Sequence, residues 1–229
     1  MRSFPFVKNG IKAAFPIVLG YVPIGMAYGL LAQQAGLGIA MTFSLSFFVF
    51  AGASQFMAVS MLSGGVAPIV IISTTFIVNF RHLLMSASMA PYLASWKKWQ
   101  RFAFGTMLTD ESFAMHSARF DRNLIHPIEA IALNATAYSA WVISGVLGFF
   151  LGSLIAKPEV LGLDFALPAM FIGLLLPICT HRSAVVAALF GGGSAVLLYC
   201  LGLGAWAVFA GALAGATAGA CVREVKRVG

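Results

Sequence analysis

Residues 76–89 read FIVNFRHLLMSASM, an arginine and a histidine side by side inside an otherwise apolar run. No Asp, Glu, Lys or Arg occurs between Lys12 and Arg81. A guanidinium at the centre of a spanning helix costs ~2.5–3.5 kcal/mol on insertion scales, so it faces a bundle interior or a wet cavity and finds a partner there. The bland alternative is that residues 66–80 complete one helix and Arg81 snorkels from its end. A full crossing takes about 20 apolar residues. Residues 66–80 fall short of that, which favours an interior Arg81 and a segment broken at Arg81 and His82.

The rest of the chain has the same character. Of 229 residues, 60% are hydrophobic and 9% charged, and the mean hydropathy is +0.94. Soluble domains carry roughly 25% charged residues, so the sequence describes an all-α, polytopic transmembrane helix bundle. Its runs are continuously apolar, whereas barrel strands alternate. No Pro-, Ser- or charge-rich linker divides it, so residues 1–229 form one integral membrane domain.

The net charge of +7 does not point to nucleic acid. The basic residues are scattered over short segments: Arg2, Lys8 and Lys12; Lys97, Lys98 and Arg101; Arg119 and Arg122; Arg223, Lys226 and Arg227. That is the pattern of cytoplasmic loops under the positive-inside rule. Cys179, Cys200 and Cys221 form no C-x-x-C pair, so neither a disulfide framework nor a zinc site is indicated. His82, His116, His126 and His181 lack metal-ligand spacing. The first apolar stretch, 13–32, is longer than the ~7–15 residues of a signal-peptide core and is expected to remain as the first membrane helix.

The candidate membrane segments are 12–33, 39–62, 66–80 with 83–96, 128–155, 165–180 with 183–200, and 203–221. Basic flanks place both termini in the cytoplasm, together with 97–101 and 119–122, while 34–38 and 156–164 face out. Segment 102–118 then starts and ends on one side. It is either a re-entrant or bundle-interior piece or an amphipathic surface helix. A second broken segment parallels the first: LPAMFIGLLLPIC (167–179), then His181 and Arg182, then SAVVAALFGGGSAVLLYC (183–200). Pro68 and Pro168 stand at the same distance from the two charged pairs. Discontinuous segments in corresponding places mark the central site of transporters with internal repeats; chance alignment of apolar sequence is the alternative.

Glycines add two stripes, Gly20, Gly25 and Gly29 in the first helix and Gly204, Gly211, Gly215 and Gly219 in the last, where small residues let membrane helices approach. Gly191, Gly192 and Gly193 in succession weaken a helix and are expected to unwind it.

Several residues carry candidate chemistry. Arg81 has apt partners in Asp110 and Glu111, because its fork of donors matches a carboxylate. His82 is either a protonation switch or a hydrogen-bonded interior histidine. Ser54, Gln55 and Asn79 supply hydroxyl and amide groups in the same apolar context. FAGASQFM (50–57) suits an unwound turn, and equally a close helix contact. His181 and Arg182 are secondary candidates. No nucleotide-binding P-loop, H-E-x-x-H or G-x-S-x-G signature occurs, so the expectation is a protein that is not an enzyme and needs no cofactor.

Four stretches then become recognisable in order: FPIVLGYVPIGMAYGLLA (15–32), VFAGASQFM (49–57), FIVNFRHLLM (76–85) and LTDESFA (108–114). Together they resemble the AzlC-like branched-chain amino-acid permeases. The resemblance implies a secondary transporter in the bacterial cytoplasmic membrane, the large subunit of an exporter acting with a small AzlD-like membrane subunit. Branched-chain amino acids are zwitterions with an apolar side chain. Arg81 and the N–H groups near Ser54 are placed to take the carboxylate, and Asp110 or Glu111 to take the ammonium or a coupling proton. Two rivals stand beside this: an uncoupled, channel-like pore for small neutral solutes, and a non-transporting membrane assembly or enzyme component.

Overall fold

The structure, a computed structural model, describes residues 4–120, 126–152, 172, 179, 181–203 and 206–222. All regular structure among them is helical. Four of the helices, Phe4–Gln34, Pro68–Met89, Pro127–Gly152 and Arg182–Cys200, are long and apolar enough to cross a membrane. The chain divides into two compact units, residues 1–167 and 168–229.

Two helices form the frame of the first unit. Helix α1 (Phe4–Gln34) contains Pro16 and Pro23, and α7 (Pro127–Gly152) starts on a proline, where a missing N–H costs nothing. They run parallel and in close contact. A methyl on Gly10 would collide with the Glu129 carbonyl, one on Gly25 with Ser144, one on Gly29 with the Gly145 carbonyl, and one on Gly148 with Met26. The contact numbers rise together along both helices, which fixes the parallel sense. Gly20, expected on the same seam, faces open space.

Segment 39–62 does not cross as one helix, contrary to expectation. It forms α2 (Ile39–Ser44), a π-helical turn (Leu45–Val49), a reversal at Phe50 and Ala51, and α3 (Gly52–Ser63). Phe50 adopts a left-handed conformation, φ 42° and ψ 49°, and Ala51 is extended. Gln55 Nε2 then donates to Ser46 Oγ at 3.0 Å. In a straight helix, residues so spaced would lie about 13 Å apart. Both arms meet Tyr28: its hydroxyl donates to the Thr42 carbonyl at 3.1 Å, and its ring centroid lies 5.8 Å from that of Phe56. The pair is a hairpin that enters from the Gln34 end, turns beside Tyr21 and Tyr138, and returns.

Helix α4 (Pro68–Met89) follows antiparallel to α3, through a link with Gly65 at φ 68°. It runs unbroken through Arg81 and His82, so the expected interruption is absent. The reason is local satisfaction: His82 Nδ1 lies 3.2 Å from the Asn79 carbonyl, and Arg81 meets a carboxylate from another element. Neither residue requires the helix to open.

Helices α5 (Lys98–Thr106) and α6 (Asp110–Phe120) make a second hairpin. Trp96 packs on both Phe104 and Phe120, at 5.6 and 6.0 Å between centroids, so its open end is closed by aromatic rings. Arg119 reaches Glu129 near the start of α7, and the tip at Met107–Asp110 rises to Tyr21. Segment 102–118 thus starts and ends at the same end of the α1–α7 frame. The order of hairpin then crossing helix occurs twice, as α2–α3 with α4 and as α5–α6 with α7, in opposite senses.

In the second unit, α8 (Arg182–Cys200) and α9 (Trp206–Val222) are joined at Gly202, φ 87°. Helix α8 is continuous through Gly191–Gly193, so the expected unwinding does not occur. Gly191 faces Gly211 and Gly215, while Ala187 and Ser183 leave no room for side chains at Gly215 and Gly219. Of the three glycines only Gly191 lies on this tight helix–helix seam, while Gly192 and Gly193 face open space. Most of the 165–180 stretch, the 156–164 link, Gly204, Arg2, Arg122 and the basic C-terminus lie outside the described residues.

Candidate functional site

The two hairpin tips meet halfway along the α1–α7 frame, at Tyr21. Its ring packs edge-on against Trp141 and Phe50, at 5.2 and 6.5 Å between centroids, and only 5% of the residue is exposed. Its hydroxyl lies 2.6 Å from Glu111 Oε2 and 2.7 Å from Thr109 Oγ1. One tyrosine therefore touches the Phe50 reversal and the α6 tip at once.

Beside it, Arg81 Nη1 lies 2.6 Å from Asp110 Oδ2, with the two side chains 31% and 30% exposed. The Arg81 Nε is buried and has no hydrogen-bond partner. A guanidinium with one edge bound and one donor spare can accept a further anion. Ser54 Oγ donates to Asn79 Oδ1 at 2.6 Å, joining the first turn of α3 to α4.

The tips differ in how their helices start. Thr109 caps α6: its N–H donates to Ser112 Oγ at 2.9 Å, and its Oγ1 accepts from the Ser112 N–H at 3.4 Å. Asp110 and Glu111 then occupy the first turn, where negative charge suits the helix dipole. Helix α3 has no side-chain cap and no acidic residue in its first turn. Its leading N–H groups therefore have no side-chain cap, and they lie packed at the middle of the unit, with Ala53 and Ser54 only 2% and 1% exposed.

Gln55 is wholly buried, with Nε2 on Ser46 and Oε1 accepting from Trp141 Nε1 at 2.9 Å. It ties both arms of the α2–α3 hairpin to α7. The structure thus gathers Ser54, Gln55, Asn79, Arg81, His82, Asp110 and Glu111 around the two tips. His181 and Arg182 begin α8 in the second unit, both exposed.

Sequence reasoning missed Tyr21 and Trp141 as parts of the site. It also missed the α6–α7 pairing, His116 Nε2 to Asn134 Oδ1 at 2.8 Å and Arg119 to Glu129. Charge in the wrong place was the available signal for Glu129, near the start of an apolar helix. Among the described residues no cluster of three metal-ligating side chains occurs.

Four helices long enough to span and two opposed hairpins define a multi-pass helical membrane protein. The chain belongs to the AzlC protein family, which matches residues 16–155, and so to a family of membrane transport proteins. Over 216 residues it is 36% identical to an uncharacterized membrane protein of Archaeoglobus fulgidus, covering 91% of each chain. It is 33% identical to the inner membrane protein YgaZ of Escherichia coli over 217 residues, 90% of this chain and 86% of that one. It is 30% identical to the branched-chain amino acid transport protein AzlC of Bacillus subtilis over 167 residues, 72% of this chain and 65% of that one. No solved structure matches it.

Proposed function

We propose that this chain is a secondary transporter that exports branched-chain amino acids across the bacterial cytoplasmic membrane, driven by protons. The observation that carries the reading is the Arg81–Asp110 pair, set between two helix starts of opposite character. A zwitterion needs a cationic or N–H-rich subsite and an anionic one. The uncapped N–H groups of α3, with Ser54, Asn79 and the free Nε of Arg81, suit its carboxylate. Asp110 suits its ammonium, exchanging Arg81 for the cargo. Helix starts at mid-depth aimed at anionic groups are a recurring transporter device. Phe50, Tyr138 and Trp141 supply apolar surface nearby.

Orientation follows from charge. Lys8, Lys12, Lys97, Lys98, Arg101 and Arg119 belong to the end of the first unit where α1 and α7 begin. Under the positive-inside rule that end is cytoplasmic, with both termini on the same side. The likeness to the Bacillus transport protein supports the cargo class, and a small AzlD-like membrane subunit is the expected partner.

Purified protein in proteoliposomes, with and without that subunit, tests the reading by flux of radiolabelled leucine under an imposed pH gradient. Gradient-dependent flux is expected. Flux indifferent to the gradient would favour an uncoupled pore, and no flux in either preparation would favour a non-transporting component.

A further inference from the structure

Two adjacent carboxylates at one helix start invite a division of labour, and their partners differ. Asp110 sits against a permanent cation, Arg81. A proton placed on Asp110 would strand the guanidinium beside a neutral acid, an unfavourable exchange in a partly desolvated site. Glu111 meets a neutral phenol instead, and among the described residues it pairs with no cation.

We infer that Glu111, and not Asp110, takes up and releases the coupling proton, through a chain of hydroxyls that reverses direction. This inference rests on the transport reading above. The chain runs from Glu111 Oε2 to the Tyr21 hydroxyl (2.6 Å), to Thr109 Oγ1 (2.7 Å), to Ser112 Oγ (3.3 Å) and to the Thr109 carbonyl (3.3 Å). With Glu111 ionised, Tyr21 donates to the carboxylate and Thr109 donates to Tyr21. With Glu111 protonated, its new O–H donates to Tyr21, Tyr21 to Thr109, Thr109 to Ser112, and Ser112 to the Thr109 carbonyl. Each hydroxyl rotates and no heavy atom has to move. One O–H bond forms at Glu111 on uptake and breaks on release, so the proton balance closes. In both states every hydroxyl proton has an acceptor, which is what a group alternating between them requires.

The charges around this corner are few. Helix α4 brings Arg81 and His82, α6 brings Asp110, and α1 brings only the Tyr21 phenol. Helices α3 and α7 bring the uncharged Gln55 and Trp141. Because Arg81 and Asp110 cancel, a proton on Glu111 changes the net charge of the corner by one. Neutralising it lowers the cost of moving the tip through an apolar interior.

The test uses full-length protein in proteoliposomes with radiolabelled leucine and two readouts, exchange at equal pH and flux driven by a pH gradient. Glu111→Gln, which mimics the protonated acid, is expected to retain exchange and lose its response to the gradient. Glu111→Asp is expected to keep that response with a shifted pH midpoint, which a purely structural role would not produce. A Glu111→Gln protein that follows the gradient as the wild type does would overturn the inference. So would loss of exchange along with the gradient response in a folded variant, which would put Glu111 on the cargo. Wild-type exchange that ignores the gradient overturns it too, while leaving transport intact; absence of leucine exchange in the wild type fails the transport reading itself.

Discussion

The α2–α3 and α5–α6 hairpins have the same shape and opposite chemistry. Each enters from one end of the α1–α7 frame, turns near Tyr21, and is followed by a crossing helix. The first contains no charged residue at all, from Ile39 to Ser63. It is held by uncharged hydrogen bonds: Gln55 to Trp141 and Ser46, Tyr28 to the Thr42 carbonyl, and Tyr138 to the Phe47 carbonyl at 2.7 Å. The second carries Asp110, Glu111, His116 and Arg119, and its contacts to the frame and to α4 are largely ionic or titratable. One tip offers uncapped backbone donors, the other offers carboxylates. The difference is that of a two-ended binding site, with the positive end built from backbone and Arg81, and the negative end from side chains.

The sharpest way to break this comparison is topological, because the outcome is all or none. If α2–α3 turns back, cysteines placed at Gly36 and Gly65, both in open space, label from the same side of the membrane in a protein freed of its native cysteines. A cysteine at Trp99 labels from the other side. Labelling of positions 36 and 65 from opposite faces would restore a crossing segment and abolish the first hairpin.

A second effect, smaller but large, concerns the charged tip. Arg81→Lys keeps charge and loses the planar fork, and Asp110→Asn keeps shape and loses charge. Each is expected to reduce leucine transport by about tenfold or more, roughly the 1.4 kcal/mol or above of a lost directed ionic contact, with membrane insertion near normal. The pair is about one-third exposed, so its stability share falls below the ~3–5 kcal/mol seen when a fully buried pair loses one partner. Transport that survives either substitution within twofold would mark Arg81 as a packing residue.

The uncharged hairpin should answer differently. Gln55→Leu leaves the buried Trp141 Nε1–H and Ser46 hydroxyl without their partner. It is expected to cost ~1–3 kcal/mol of stability, read as a lowered Tm in detergent, while the pH-gradient dependence of transport keeps its wild-type shape. A changed gradient dependence would show that the two hairpins do not divide the work as described.

The sequence made the all-helical membrane character legible because burial in lipid leaves a compositional mark that no soluble protein shares. It also pointed to Arg81 with Asp110 or Glu111, since a lone cation in an apolar run requires a countercharge and few exist; the structure pairs it with Asp110. Where it misplaced the breaks, the reason is instructive. Arg81 and His82 looked like an interruption, yet a helix carries them without opening when partners reach in from elsewhere. The true reversal falls at Phe50, a bulky residue at positive φ, within the FAGASQFM stretch that suited an unwound turn and a close helix contact equally. The same holds for Gly191, whose role depends on Gly211 and Gly215 across the seam. Tyr21 escaped notice because its importance lies in what converges on it, and convergence is not written in local pattern.

The double replacement Arg81→Gln with Asp110→Asn tests the central claim most directly, by leucine exchange in proteoliposomes made from protein whose folding is verified by its unfolding temperature. Neutralising both partners removes the stranded charge that either single change leaves behind, so a pair serving only structure should regain activity. A folded protein that stays inactive is expected, because the zwitterion has lost both of its charged contacts. Recovery of exchange toward the wild-type rate would contradict it and leave the Arg81–Asp110 pair as a strut between α4 and α6.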